Sequence, residues 1–587
     1  MKKKMFLSLL FLFTFGAVLL FAGGGGQAAG QAAKEATAPK IYQSGFTPSG
    51  TAAAEYQDKL NWFTNNFIQY FTSRGEGTKI LGYDTPLKVR TTIMDSPGLQ
   101  TSFAAWRGLY GESPTMNRYI DVYKRAFNVD VSYQYTIQQS DYRQQMRLNM
   151  AANDLPDIFS IQEQADVFEM AQADVIHDLT PYRAKYSAQI VENYWKDSPL
   201  LDMVSQNGKL YALPQTWPAT DPLSYLWIRA DWLKALNLEL PKTMDDLTRI
   251  IDAFMKSGLN KSGRESIGIS FGKEVIFLNR GLFTGFGAYP DYWVEKNGAL
   301  IWGGTDENNK KALAFMNDLY KRGYVDKEFV TYTDAEMLEA VISGQCGVFY
   351  SPHWYISNTV VMGAQDKDAD LWAIPLPTAD GRPAMSPISP SNVGFTVVNK
   401  KFTNPELAYK MFNLFVYMYE GRDGSWWGFN PPAGGSNAND LSAFARIYSP
   451  WLNYDAYESF IKSFQAGWDK SLINAAADLY WGPVFAPETA WGWGRLINPE
   501  FPRPAFRELK TIVDEKRFFY DAYTGVPSDY MRDRWQVIKD EQLVFFTRMI
   551  TGDLDVNAGF DAWLRTFNSM GGDRITREVN DWYRARK

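Results

Sequence analysis

Aromatic and polar residues occur together at several points where the chain is predicted to leave a strand. Asp95, Gln162 and Glu163 each follow a predicted strand, Trp354 follows a short apolar segment in the run SPHWY, and Trp217 lies in a proline-rich run. Flat rings can cover the apolar faces of a sugar, while carboxylate and amide groups bind its hydroxyl groups. For each of these residues, an ordinary place in the core or in a solvated loop is the alternative.

Six further residues complete the set of candidate ligand-binding residues. They are four tryptophans from a segment rich in Gly and Pro, one arginine and one histidine: Trp426, Trp427, Trp491, Trp493, Arg229 and His353. We expect at least one of the four tryptophans to face a ligand and the others to pack within their loops. Arg229 could instead pair with Asp231 or cap a sheet edge, and His353 is included only because it precedes Trp354.

Composition limits the classes of protein that fit. The chain has 587 residues, too many for one compact domain, and its aromatic content of 16% is high. A formal charge of -6 makes nucleic acid a poor partner. Cys346 is the only cysteine, which excludes an intrachain disulfide and a cysteine-based zinc site, and two histidines cannot form a three-histidine metal site.

Signatures of catalysis and of cofactor binding are missing from the sequence. It contains no P-loop, no GxSxG and no HExxH, and Gly285-Phe286-Gly287 is followed by Pro290 where a dinucleotide fingerprint needs a third glycine. We therefore predict no catalytic residues, no cofactor and no metal. A secreted polysaccharide-cleaving enzyme remains an alternative, because two suitably spaced carboxylates are all that such chemistry requires.

The N-terminus has the layout of an export signal. Three lysines precede an apolar run from Met5 to Phe21, which ends at Ala22 before a glycine tract. We predict a signal peptide over 1–22, hence a periplasmic or extracellular protein, with an uncleaved anchor as the alternative. No cysteine near Ala22 could accept a lipid, and residues 23–40 are expected to be a flexible leader.

The elements that would position the candidate residues follow from hydrophobic periodicity. Alternation over 87–93 predicts a strand, helical spacing over 116–127 a helix, and alternation over 129–137 a second strand. This βαβ unit would place the loop at Asp95 at the carboxyl end of a strand, where open α/β sheets bind ligands. The strand 158–161 would bring Gln162 and Glu163 to the same edge.

A central stretch is predicted to carry the chain from one half of the molecule to the other. The apolar run Leu223–Ile228 predicts a strand buried on both faces, as in a parallel sheet or a covered crossover, and 392–399 is a second crossover candidate. Thr243 and Thr333, each followed three residues later by an acid, predict capped helices. Residues 421–505 hold many Gly, Pro and Trp and predict long loops with a few short helices.

Several segments resemble one family in the order that the family keeps. The main ones are LNMAANDLPDIFS at 148–160, GKLYALPQ at 208–215, LWIRADWLKALNLELPKTMDDL at 226–247, GVFYSPHWY at 347–355 and VGFTVVNKKFTNPELAYKMFNLF at 393–415. A further match covers 549–583. Together these segments resemble the extracellular solute-binding proteins of ABC importers, in the cluster that includes binders of oligosaccharides and alginate.

The resemblance implies an α/β fold like that of periplasmic binding proteins, with two discontinuous lobes, a multi-strand hinge and a ligand cleft between the lobes. Lobe 1 would comprise 41–225 and 393–505, and lobe 2 would comprise 230–390 and 515–587. Hinge segments would lie near 223–231, 388–394 and 505–515.

The implied partners are an oligosaccharide and the transmembrane subunits of an ABC permease, and we expect a monomer. A peptide binder of the same fold is the second alternative. Some members hold calcium in a loop that matches Gly258–Gly268 here. Only Asn260 and Glu265 remain of its ligands in this chain, so we predict no ion there.

Overall fold

The computed structural model describes residues 32–586 except 96, 197, 391, 421–444 and 488. The predicted signal segment and Trp426 and Trp427 therefore lie outside the described residues. The first third of the chain alternates helices and strands: α1 Ala53–Ser73, β1 Leu87–Asp95, α2 Pro97–Tyr110, α3 Arg118–Phe127, β2 Val129–Gln138, α4 Gln139–Ala151, β3 Ile158–Ile161, α5 Gln164–Gln172, α6 Thr180–Tyr186, α7 Gln189–Trp195, β4 Ser205–Gln206, β5 Lys209–Leu210 and β6 Leu213–Thr216.

The middle of the chain is likewise mixed. Its elements are β7 Ser224–Arg229, α8 Ala230–Ala235, α9 Met244–Lys256, α10 Val275–Leu278, α11 Arg280–Gly285, β8 Trp293–Lys296, β9 Ala299–Trp302, α12 Asn308–Lys321, α13 Asp334–Ile342, β10 Val348–Pro352, α14 Val360–Gln365, β11 Leu371–Ile374 and β12 Ser386–Ile388.

The last third is mainly helical. It contains β13 Asn392–Val398, α15 Leu407–Glu420, α16 Leu452–Gln465, α17 Ala475–Phe485, α18 Ala490–Ile497, α19 Ala505–Asp514, β14 Phe518–Tyr520, α20 Asp529–Thr551, α21 Val556–Ser569 and α22 Gly572–Arg586.

The first lobe contains the predicted βαβ unit. Strands β1 and β2 pair in parallel, from Leu87 opposite Val129 to Asp95 opposite Gln138, which confirms the prediction. A second sheet has β13 in its centre, antiparallel to both β3 and β6. Residues of this sheet share one hydrophobic core with α1, α3, α7 and α15, so the chain returns to this lobe through β13, as the predicted crossover at 392–399 requires.

The strand predicted from Leu223–Ile228 is the centre of the second lobe's main sheet. Every residue of β7 is buried, and β7 lies between β10 and β11. Both partner strands are antiparallel to β7, so the parallel-sheet alternative is wrong, whereas burial on both faces is confirmed. Alternation along β7 places Leu226 and Ile228 in one core and Tyr225 and Trp227 in another.

Segment 452–514 differs most from expectation. Long loops with a few short helices were predicted over 421–505, whereas the described part of this segment consists mostly of the helices α16, α17 and α18, and α19 follows directly. Pro483 lies inside α17, and a Cβ on Gly494 of α18 would approach the Phe501 ring to 2.3 Å, so residues that usually break helices are kept here by packing. These helices share a core with β7, β10 and β11 rather than with the first lobe, to which 393–505 was assigned.

The expected flexible leader is partly docked. Ala36 is buried, and Glu35 Oε1 accepts a 2.7 Å hydrogen bond from the fully buried Nζ of Lys410. The expectation of an unstructured 23–40 is thus wrong for its last residues, because a buried ammonium requires a counter-charge. No helix within the described parts of the chain is long and apolar enough to cross a membrane.

Candidate functional site

A cavity of about 510 Å³ opens between the two lobes. Its first wall comes from the start of α5 and from β13, and its second wall from α10, α11 and the segment after β14; residues beside β7 and β13 line its base. Ligand sites of globular proteins commonly have volumes of roughly 300–1,000 Å³ and lie between domains. This cavity, called the interlobe cleft below, is therefore the candidate binding site.

Two of the predicted residues line the cleft from the first lobe. Gln162 and Glu163 are exposed between β3 and α5. Their neighbour Gln164 is buried and donates hydrogen bonds through Nε2 to the carbonyl of Met203 at 2.6 Å and to that of Thr524 at 3.3 Å. Because Thr524 belongs to the opposite wall, Gln164 links the two lobes at the cleft.

The second wall contains a buried ion pair that the sequence did not reveal. Arg280, at the start of α11, donates to Asp291 Oδ2 through both Nε, at 3.1 Å, and Nη2. Its Nη1 donates to the carbonyl of Pro222 at 3.1 Å. Burial lowers the pKa of Arg280, but the negative charge of Asp291 outweighs this effect, so the pKa of Arg280 is raised. The other oxygen of Asp291, Oδ1, is buried and accepts no hydrogen bond from any described residue.

Aromatic rings cover much of the same wall. The guanidinium of Arg280 lies 5.1 Å from the ring centre of Phe277 and 5.2 Å from that of Tyr292. Tyr523 completes the wall and packs edge-on against Trp293. Phe395 of β13 faces the cleft from the first lobe. These rings provide flat apolar surface beside polar groups, which is the combination expected at a carbohydrate site.

Asp521 is the third carboxylate in the cleft. Burial raises its pKa to about 7, although its Oδ1 accepts a 3.0 Å hydrogen bond from the backbone N–H of Tyr523. The charge of Asp291 raises the pKa further. A carboxyl group with this pKa can act as donor or acceptor near neutral pH.

Asp95 lies beside the cleft residues but does not line the cavity. It ends β1 and accepts a 3.0 Å hydrogen bond from Gln138, its neighbour on β2. One residue earlier, the Met94 sulfur lies 3.5 Å from Nε2 of Gln162. The ends of β1 and β3 therefore meet at one edge, as predicted, and the chain enters helix α2 at Pro97 where a loop was expected.

Trp217 and His353 meet at a buried carboxylate beside the strand that joins the lobes. The indole N–H of Trp217 donates to Asp221 Oδ2, and Nε2 of His353 lies 4.0 Å from Oδ1 of the same residue. Burial lowers the pKa of His353 to about 3 and raises that of Asp221 to about 7. Neither Trp217 nor His353 lines the cleft cavity, so their place is in the packing next to it.

The remaining described tryptophans of the set have different surroundings. Trp354 is 38% exposed at the end of β10, with its ring edge-on to His353 at 5.4 Å. Trp491 is half-buried under the guanidinium of Arg495 at 4.0 Å, and its N–H donates to the carbonyl of Ala369. Trp493 packs against the ring of Tyr480. None of the three lines the cleft cavity within the described structure.

Arg229 pairs with Asp231, which was the alternative to ligand binding. Its side chain is 1% exposed and donates to Asp231 through Nε at 2.7 Å and Nη2 at 2.5 Å, and to Asp366 at 2.9 Å. A buried guanidinium held by two carboxylates has no reason to leave them for a ligand, so we remove Arg229 from the proposed ligand-binding set. The pairing with Asp231 is confirmed.

Comparisons with known proteins agree with this geometry. A model of the family "Bacterial extracellular solute-binding protein" matches residues 97–416. The lipoprotein LipO of Bacillus subtilis strain 168 is 28% identical over 467 residues, which cover 77% of this chain and 86% of LipO. The polygalacturonan/rhamnogalacturonan-binding protein YtcQ of the same organism is 27% identical over 261 residues, 43% of this chain and 49% of YtcQ.

A solved structure shows the same fold. The Streptococcus pneumoniae ABC-transporter substrate-binding protein FusA in complex with kestose superposes with a TM-score of 0.52, at 17% identity, over 85% of this chain and all of FusA. The two-lobed α/β fold of periplasmic binding proteins is thereby confirmed. Since the family model covers more than half of the chain, the protein is a member of the bacterial extracellular solute-binding protein family.

Proposed function

We propose that this protein is the substrate-binding component of an ABC importer and that it captures an oligosaccharide in the interlobe cleft. The observation that carries the proposal is the composition of the cleft walls, where four aromatic rings stand among carboxylate and amide groups contributed by both lobes. Rings of this kind bury the apolar faces of sugar units at ~25 cal/mol per Å². The polar groups bind the hydroxyl rim.

Delivery to a permease requires two forms of the binding protein. The segment between β6 and β7 leads the chain from the first lobe into the second, and Gln164 bonds to Thr524 across the cleft. A ligand that contacts both walls would favour the closed form, because it binds that form more tightly. We propose hinge segments near 223–231 and 388–394; the third one expected, near 505–515, is instead occupied by α19, which packs in the second lobe. We also propose a signal peptide over 1–22 that exports the protein as a monomer to the periplasm or the cell exterior.

We further propose that the protein releases its ligand unchanged and is not an enzyme. The family and the similar proteins reported above are binding proteins. Incubation of the pure protein with a glycan panel, followed by chromatography of the products, should yield no shortened chains. Accumulation of cleaved glycan in proportion to protein would contradict this part of the proposal.

Isothermal titration calorimetry against oligosaccharides of two to six units tests the binding function. We expect at least one sugar to bind, with X-ray scattering showing a smaller radius of gyration in its presence. A double variant, Phe277→Ala with Tyr523→Ala, should lose that binding while keeping its circular dichroism spectrum. Tight binding of a peptide with no binding of any sugar would contradict the proposed function.

A further inference from the structure

The ionisable groups of the interlobe cleft are predominantly acidic. Glu163, Asp291 and Asp521 line it, whereas Arg280 is the one cationic side chain among the described lining residues. Arg280 is 7% exposed and already bonded to Asp291 and to the carbonyl of Pro222. Its charge is thus neutralised within the wall, and the described lining carries a net negative charge.

The nearest other cations on the first wall are also paired. Arg143, on the helix beside Gln162 and Glu163, donates to both oxygens of Asp166 at 2.8 Å. Arg147 lies 3.5 Å from Asp166 and 3.7 Å from Glu169. These contacts hold the two guanidinium groups in a neighbouring groove between α4 and α5. The groove shares Gln162 and Glu163 with the cleft, but neither arginine lines the cleft cavity.

A carboxylated glycan would meet this surface unfavourably. Each uronate unit brings one negative charge, which must be paired once the cleft excludes water. Like charges held close together in a partly dry site repel strongly, and no described lining cation is unpaired to offset them. Hydroxyl groups, by contrast, can donate to the carboxylates of Glu163 and Asp521.

We infer that the cleft selects oligosaccharides that carry no carboxylate groups. This inference rests on the proposed function and narrows its substrate class. The names of the similar proteins do not decide this point. YtcQ is named for galacturonate polymers, which are acidic, whereas the FusA structure holds kestose, an uncharged sugar.

A matched pair of ligands provides the test. Calorimetry of the full chain should compare tetragalacturonate with its methyl ester, together with neutral fructo-, gluco-, galacto- and xylo-oligosaccharides of the same length. We expect the best ligand to be a neutral oligosaccharide, and tetragalacturonate to bind at least about tenfold more weakly than that ligand and more weakly than its own ester. Two outcomes would overturn the inference while leaving the proposed function intact. In the first, tetragalacturonate is the best ligand; in the second, it binds as tightly as its ester and as the neutral sugars.

A charge variant supplies a second readout. Glu163→Gln should raise the affinity for tetragalacturonate relative to that for the best neutral ligand by about threefold or more, because the substitution removes a negative charge that repels only the uronate. Glu169→Gln, on the neighbouring helix α5 but outside the cleft, serves as the control and should leave this affinity ratio unchanged. Equal effects of the two substitutions on tetragalacturonate would contradict the inference. A protein that binds none of these sugars would instead contradict the proposed function, and the inference with it.

Discussion

Asn453 of α16 donates a 2.6 Å hydrogen bond to Oδ1 of Asp221, a residue 232 positions earlier in the chain. The contact ties α16, which packs with β7, β10 and β11, to the segment that leads into β7. Tyr480 donates in turn to Asn453 at 3.1 Å, and Trp217 to the other oxygen of Asp221. Asp221 is therefore the shared acceptor of a buried network at the junction between the lobes.

The first prediction concerns the pH dependence of this network. Burial raises the pKa of Asp221 to about 7 in the folded protein, well above that of an unfolded aspartate, so the folded state binds the additional proton. Its contribution to stability is then largest below about pH 4 and declines as pH rises to 7. In Asp221→Asn this decline is absent, and the unfolding free energy should shift in favour of the variant by up to about 3 kcal/mol between pH 4 and 7.

Urea melts of both proteins at pH 4, 5.5 and 7 measure this difference. The variant also loses an acceptor for one of its two donors, which adds an offset that is the same at every pH. Parallel pH profiles for the two proteins would show that Asp221 titrates normally.

The same network shows where sequence patterns stop being informative. The proline-rich surroundings of Trp217 favour a ring that faces a ligand, but no sequence pattern identifies Asp221 as the acceptor of its indole N–H. Likewise Arg280 and Asp291 belong to no motif, and only the fold makes Pro222 their neighbour at the cleft. Gln162 and Glu163 were predicted to line the edge because a strand end has a fixed position in an α/β sheet.

Elements were predictable where the pattern is local. Strand β7 differs from its predicted bounds by one residue at each end, and the capping boxes at Thr243 and Thr333 are present. The antiparallel partners of β7 lie more than 100 residues away in the chain, and hydrophobic periodicity carries no information on such pairing. Helices α17 and α18 escaped prediction because their Pro and Gly residues are tolerated only through tertiary packing.

The second prediction concerns the ring of Phe277. It is half-buried in the cleft wall beside Arg280, so Phe277→Ala removes apolar contact surface without leaving a buried charge unpaired. We expect the affinity for the best oligosaccharide ligand to fall about tenfold to a hundredfold. Phe464→Ala removes a ring that is 39% exposed on α16, outside the cleft, and should leave the affinity unchanged. Calorimetry of both variants measures the effect; a similar loss in the two would indicate that the wall does not contact the sugar.

A third prediction tests the structural role assigned to Arg229. Burial opposes ionisation of Asp366, yet hydrogen bonds from Arg229 and Lys261 hold the pKa of Asp366 below its usual value. Arg229→Met would leave two carboxylates without their buried partner and should destabilise the protein by about 3 kcal/mol or more. Lys234→Met, which removes an exposed ion pair to Asp370, should cost less than about 1 kcal/mol. Chemical denaturation compares the two, and equal costs would mean that the buried cluster is not structural.

The last prediction concerns calcium at the loop Gly258–Gly268. The amide oxygen of Asn260 already accepts hydrogen bonds from the N–H of Ser262 at 2.9 Å and from its hydroxyl at 2.6 Å. Lys261, in the same loop, is a cationic residue and pairs with Asp366 at 3.2 Å and Asp368 at 3.1 Å. Calcium requires six to eight oxygen ligands, so we expect the melting temperature in 1 mM calcium to match that in EDTA within about 1 °C. A saturable rise at micromolar calcium would show that the turn rearranges to bind the ion, and would require Asn260 to exchange its internal hydrogen bonds for a metal.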